Sequence, residues 1–133
     1  FTSNPELEMV TLKKPVLEES EFTDPNVVKV VTDRSGFALY FSRSLIPYPR
    51  YRTEEFKVFE HIGLYAYSRP CLLTLTSLEP TPLEKVESLE QLRALENGIR
   101  IFLVETHCRG QLVSVDTQAD LEKVCRILAK GVE

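Results

Sequence analysis

Two arginines flank a proline-rich turn in the stretch Gly36-Phe37-Ala38-Leu39-Tyr40-Phe41-Ser42-Arg43-Ser44-Leu45-Ile46-Pro47-Tyr48-Pro49-Arg50. Guanidinium groups grip carboxylates and phosphates through paired N–H donors, so Arg43 and Arg50 on a rigid loop suit an anion. A proline-kinked edge strand with two solvated arginines fits the same residues. Further along, His61 and Tyr65 stand four apart in a β-capable run. That spacing puts both on one strand face and favours a joint role; taken singly, each is a core or packing residue. Glu90 and Arg93, three apart in a helical pattern, can pair with each other. Alternatively Glu90, a carboxylate inside an apolar arc, faces a polar pocket. Asp116 ends a short β-capable run and begins a helical one. There it is either an N-cap or a magnesium ligand, because α/β sheets hold magnesium at the carboxyl ends of strands. His107 beside Cys108 lacks a third ligand at a recognised zinc spacing.

These groups need elements to position them. Residues 7–16 alternate weakly and are β-capable up to Pro15. The acidic patch Glu18-Glu19-Ser20-Glu21 reads as a solvated connection. The β-branched run 27–32 and the apolar run 37–42 enclose Asp33-Arg34-Ser35-Gly36, which predicts a hairpin. Pro47 and Pro49 cannot donate to a ladder, so the second strand stops there and a loop follows. Residues 60–67 form a third strand, with Gly63 allowing close approach of another backbone or a ligand. For 71–78, Leu/Thr content favours strand, whereas Pro70 at a first helical position favours a short helix; helix is the expectation. Residues 83–97 read as one helix, with Pro82 before it and Asn97-Gly98 after it. Its apolar residues recur every three and drift around the cylinder, so it must bury a wide arc, with Glu84, Glu87 and Gln91 on the polar face. Residues 100–105 and 112–115 read as strands. A last helix follows Asp116-Thr117, with Leu121, Val124, Cys125 and Leu128 as its apolar stripe and Cys125 in the core.

The chain has 133 residues, a formal net charge of −4 and 43% hydrophobic residues. That is enough for one domain with a real core. An acidic chain is a poor nucleic-acid binder by bulk electrostatics, and the loop Tyr48 to Arg52 is too short to reverse this. No run approaches a membrane span, and the N-terminus carries no signal-peptide pattern. Three cysteines without a Cys-x-x-Cys point to free thiols and a cytoplasmic setting.

The string Gly36-x-Ala38-Leu39-Tyr40-Phe41-Ser42-Arg43-Ser44-x-Ile46-Pro47 resembles the bacterial CMP-KDO synthetases (3-deoxy-manno-octulosonate cytidylyltransferases). So do His61-Ile62-Gly63-Leu64-Tyr65-Ala66-Tyr67, Leu89-Glu90-Gln91-Leu92-Arg93 and Val115-Asp116-Thr117 with Asp120-Leu121, in that order. The likeness runs from about Glu8 to the end and covers the back half of the family's usual length. It implies an α/β fold: a mixed sheet with flanking helices, the C-terminal part of a nucleotide-diphospho-sugar-transferase-like fold. Residues 1–133 would then be a single domain or half-domain.

The resemblance also implies a cytidylyltransferase that joins CTP to the acidic sugar KDO and releases pyrophosphate, for lipopolysaccharide synthesis. It implies magnesium as cofactor and a homodimer, for which the strands 27–32 and 37–42 are interface candidates. By matching positions it places Arg43, Arg50, His61, Tyr65, Glu90 and Gln91 around the sugar and Asp116 on magnesium. Arginines suit the sugar carboxylate; His, Tyr, Glu and Gln suit its hydroxyls.

Ser114 and Gln118 depart mildly from the family pattern. The Gly-Asp-Glu-Pro motif that supplies the second magnesium ligand is missing, as is any phosphate-cradling glycine-rich loop; the whole chain has five glycines. This chain alone is therefore expected to bind CTP poorly and to be inactive. A non-catalytic interaction module built on the same fold, and a cytidylyltransferase for another acidic sugar, are the alternatives.

Overall fold

The computed structural model describes residues 6–106, 115 and 118–129. Five strands form one mixed sheet: β1 (Met9–Pro15), β2 (Lys29–Thr32), β3 (Ala38–Ser42), β4 (Phe59–Tyr67) and β5 (Ile101–Glu105). Their spatial order is β3-β2-β4-β1-β5, with β1 and β5 parallel and the other neighbours antiparallel. Helices α1 (Arg69–Ser77), α2 (Pro82–Glu87) and α3 (Gln91–Glu96) lie between β4 and β5, and α4 (Gln118–Ala129) follows them. The mixed sheet with flanking helices agrees with expectation. Among the described residues no helix is long and apolar enough to cross a membrane.

The β2–β3 hairpin forms because its turn satisfies itself. The Asp33 carboxylate accepts from the Ser35 and Phe37 N–H groups at 2.8 and 2.9 Å. Gly36 takes φ +88°, which an L side chain resists. Helix α1 settles the ambiguous segment in favour of helix. The Ser68 hydroxyl accepts from the Cys71 N–H at 3.3 Å, and Pro70 sits in the first turn, where its missing N–H costs nothing.

The single helix expected over 83–97 is two helices. Ser88 adopts the left-handed conformation (φ 53°, ψ 50°) and breaks it. One non-glycine residue in that region costs about 1–2 kcal/mol. The break lets Leu89, Leu92 and Ala94 enter the core beside Met9, Val30, Phe41 and Ile101, worth about 1.5–3 kcal/mol for each large side chain. Val86 is left exposed. A continuous helix could not bury that drifting apolar row; a kinked pair buries its second half.

The break also reverses the expected polar face. Gln91 is buried, and the Glu84 side chain is mostly covered. Glu90, expected inside the apolar arc, stands 84% exposed at its side chain. Two smaller expectations fare differently: that for Cys125 fails, and that for Gly63 loses only its backbone alternative. A Cβ on Gly63 would meet nothing within 4 Å, so no backbone crowds it. Cys125 is exposed, not core. The short strand expected at 112–115, apart from residue 115, and the Asp116-Thr117 cap lie outside the described residues.

Strand β4 runs past its neighbour. It pairs with β2 only around Lys29↔Glu60, where the His61 N–H also donates to the Val28 carbonyl at 2.8 Å. Beyond that point no described strand pairs with this edge of β4. Gly63, Leu64 and Ala66 are exposed there.

Candidate functional site

The end of β3 meets the end of α2. The Glu87 carboxylate accepts from the Ser42 hydroxyl at 2.7 Å, the Arg43 backbone N–H at 3.0 Å and the Tyr40 hydroxyl at 3.3 Å. Burial alone would raise its pKa. The three hydrogen bonds and the Arg43 charge together outweigh burial and hold the carboxyl below its ordinary range. The Arg43 guanidinium donates to three carbonyl oxygens, those of Glu87 (2.7 Å), Pro25 (2.8 Å) and Ser88 (3.1 Å). A guanidinium has five N–H donors, so two remain for a ligand. Arg43 thus clamps the chain at the α2–α3 break, immediately before Glu90 and Gln91.

The second cluster runs along β4. His61 and Tyr65 share a face, as their spacing requires. Their ring centroids are 5.4 Å apart, and Tyr65 stacks on Tyr67 at 5.7 Å. Phe41 meets His61 edge-on at 4.9 Å. Burial lowers the His61 pKa to about 4, so the imidazole is neutral at pH 7. Burial first, then Tyr67 and Glu90, raises the Tyr65 phenol, keeping it a protonated donor.

Tyr65 and Tyr67 line a cavity of about 220 Å³ between the sheet and helices α1 and α3. Leu72 and Leu75 of α1 form one wall; Glu90, Gln91 and Arg93 form another. A carboxylate, an amide, a guanidinium and two phenols over an apolar floor suit a polyhydroxylated ligand with an anionic group. Glu90 has the freedom to bind because Arg93 is already engaged. Its Nε and Nη2 donate to the two Glu84 carboxylate oxygens at 2.8 and 2.5 Å, whereas Glu90 lies 4.0 Å away. The expected Glu90–Arg93 pair is present as a long contact, secondary to this bidentate one.

The structure therefore brings Tyr65, Glu90 and Gln91 into one pocket, with His61 adjoining through the Tyr65 ring. Arg43 lies at the neighbouring junction. Arg50 sits in the exposed loop after β3, its guanidinium 5.8 Å from the Tyr51 ring. Asp116 and the His107-Cys108 pair lie outside the described residues. Among the described residues no three His, Cys, Asp or Glu side chains gather as a metal set.

Four residues were not legible as functional. Glu87 looked like a solvated helix charge and Arg93 like the partner of Glu90; only the break at Ser88 gives them their observed partners. Thr11 looked like one more strand residue, yet it is fully buried against His61. Lys29 sits within a β-branched run, the one available signal. It is buried, and its ammonium donates to the Asp24 carbonyl at 2.8 Å and the Val27 carbonyl at 2.5 Å. Burial lowers its pKa.

An α/β domain with a mixed sheet and a polar pocket between sheet and helices, built as here, is of the nucleotidyltransferase-like class. Residues 1–101 match the cytidylyltransferase family profile, and the chain belongs to that family. It is similar to the 3-deoxy-manno-octulosonate cytidylyltransferase of Chloroherpeton thalassium, 53% identical over 135 residues, covering 100% of this chain and 54% of that protein. The enzyme of the same description from Solibacter usitatus is 50% identical over 128 residues, covering 96% of this chain and 50% of that protein. The solved CMP:2-keto-3-deoxy-manno-octonic acid synthetase complexed with CTP superposes with a TM-score of 0.84 at 40% identity. It covers 98% of this chain and 53% of that chain. The chain thus spans about half the length of the relatives it matches.

Proposed function

We propose that this chain is the C-terminal, sugar-binding half of a cytidylyltransferase making CMP-3-deoxy-manno-octulosonate from CTP and 3-deoxy-manno-octulosonate. The observation that carries the proposal is the pocket joining Tyr65, Glu90 and Gln91. Tyr65 donates to sugar hydroxyls, Glu90 accepts from them, and Gln91 does both. The two free N–H groups of Arg43, with Arg50 further along the exposed loop that follows β3, suit the sugar carboxylate. Reaction then follows from holding the anomeric hydroxyl in line with the α-phosphate of CTP.

Asp116 is the proposed magnesium ligand of this chain. One carboxylate fits magnesium, which typically takes one or two carboxylates and completes its shell with water and phosphate oxygens. When bound, the ion neutralises charge developing on the phosphates. The remaining ligands and the cytidine site belong, on this proposal, to the other half of the relatives' length. The protein is proposed to be cytoplasmic and homodimeric.

Calorimetric titration with 3-deoxy-manno-octulosonate tests the reading. Binding that disappears with Tyr65→Phe combined with Glu90→Ala supports it. Absence of binding by the wild type overturns it, and a panel including sialic acid separates a relative specific for another acidic sugar. This chain alone, given CTP, sugar and magnesium, is expected to release no pyrophosphate. A second reading, an interaction module without catalysis, draws on the edge of β4 that no described strand pairs; a stable dimer with no sugar affinity would favour it.

A further inference from the structure

Opposite Thr11 the β1–β4 register slips. Val10 pairs with Ala66 and Leu12 with Ile62, so β4 carries extra residues against a single threonine. The Thr11 hydroxyl fills that irregularity. Its oxygen lies 3.1 Å from the Ile62 carbonyl oxygen, 3.0 Å from the Leu64 carbonyl oxygen and 2.9 Å from His61 Nε2. A hydroxyl has one hydrogen and two lone pairs. The two carbonyl oxygens can only accept, so the hydrogen belongs to them. His61 Nε2 must then be the donor toward Thr11. The opposite arrangement would leave both carbonyls facing the oxygen's lone pairs inside a buried site, at a cost comparable to lost hydrogen bonds.

The consequence falls on the other ring nitrogen. With Nε2 protonated and the ring neutral, Nδ1 carries a lone pair. Among the described residues Nδ1 has no hydrogen-bond partner, and its ring adjoins the pocket through Tyr65, 5.4 Å away between centroids. We propose that Thr11 is a positioning residue that fixes the Nε2–H tautomer of His61, and that Nδ1 thereby becomes a dedicated acceptor for a sugar hydroxyl. The second clause rests on the reading of the adjoining pocket as a sugar site. Such a device selects by hydrogen-bond direction: a hydroxyl satisfies Nδ1, and a ligand presenting only an acceptor there does not.

Long-range proton–nitrogen correlation on the histidine-labelled protein without ligand, at pH 7, reads the tautomer directly. The Nε2–H form of His61 is expected to dominate about tenfold in the wild type, to approach parity in Thr11→Val, and to return in Thr11→Ser. The affinity for 3-deoxy-manno-octulosonate should fall about tenfold in Thr11→Val and recover to within about twofold in Thr11→Ser. A wild-type Nδ1–H tautomer overturns the proposal without any variant, which covers the case that Thr11→Val does not fold. A folded Thr11→Val with an unchanged tautomer overturns it as well. Failure of the wild type to bind the sugar, with the tautomer as expected, overturns the sugar assignment of the pocket and of Nδ1. Thr11's hold on the ring would then stand on the spectra alone.

Discussion

Two clusters of nearly the same composition lie side by side, and they do different things. At the β3–α2 junction, Arg43, Glu87, Ser42 and Tyr40 bind one another and nearby carbonyls. In the pocket beside it, Glu90 is exposed and Tyr65 and Tyr67 line the cavity, while the adjoining His61 keeps one nitrogen without a partner among the described residues. The residue types alone do not distinguish these regions. Saturation of donors and acceptors does: the junction spends most of its capacity on the fold, with two Arg43 N–H groups left over, and the pocket keeps most of its capacity for a ligand.

The contrast can be broken most forcefully at Glu87. Replacing it with Ala leaves the Ser42 hydroxyl, the Arg43 N–H and the Tyr40 hydroxyl without their acceptor. Stability to urea should fall by about 3 kcal/mol. A loss under about 0.5 kcal/mol would mean the junction is no more structural than the pocket.

Acid titration probes the other cluster. The folded pKa of His61 is lowered from 6.5 to about 4, so the unfolded chain binds more protons between those values. Its contribution is complete above pH 6.5 and is lost as pH falls toward about 4, amounting to roughly 3 kcal/mol. His61→Gln should flatten that stretch of the stability–pH curve; an unchanged curve would show that the imidazole is not held neutral by burial. Glu87 acts at lower pH. Its depressed pKa gives stability that is present above the ordinary carboxylate value of 4.5 and lost below it, and Glu87→Gln should remove that lower component.

A smaller effect is expected at Arg43. Lysine keeps the charge but cannot reach three carbonyls from one planar fork, so Arg43→Lys should cost about 1–2 kcal/mol. Sugar affinity should fall several-fold with it, because the clamp precedes Glu90 and Gln91. Unchanged affinity in a destabilised variant would assign Arg43 wholly to the junction. The smallest change in stability is expected for Glu90→Gln, within about 0.5 kcal/mol because the side chain is exposed. Its sugar affinity should nevertheless fall about tenfold, the loss of one charged acceptor. Equal losses of stability and binding would erase the distinction between the two clusters.

The fold was largely legible along the chain because its signals are local. The turn at Asp33-Arg34-Ser35-Gly36, the prolines after β3 and the alternation in β4 each act within a few residues. The helix over 83–97 was misread because its end at Ser88 carries no local stop signal. Serine is neither glycine nor asparagine, and only the competition of Leu89 and Leu92 for the core forces it left-handed. The same misreading put Gln91 on the surface and Glu90 in the apolar arc.

The sequence by itself determined the five described strands, the shared face of His61 and Tyr65, and the residue types available for an acidic sugar. Periodicity and propensity suffice for these because they depend on neighbours in the chain. The tertiary structure decided which charges are spent. That Arg93 belongs to Glu84, that Arg43 is shared among three carbonyls, and that Thr11 faces His61 across 50 residues are matters of packing between distant segments. Hydrogen-bond partners are assigned by distance in space, and spacing along a chain records that distance only within a single element.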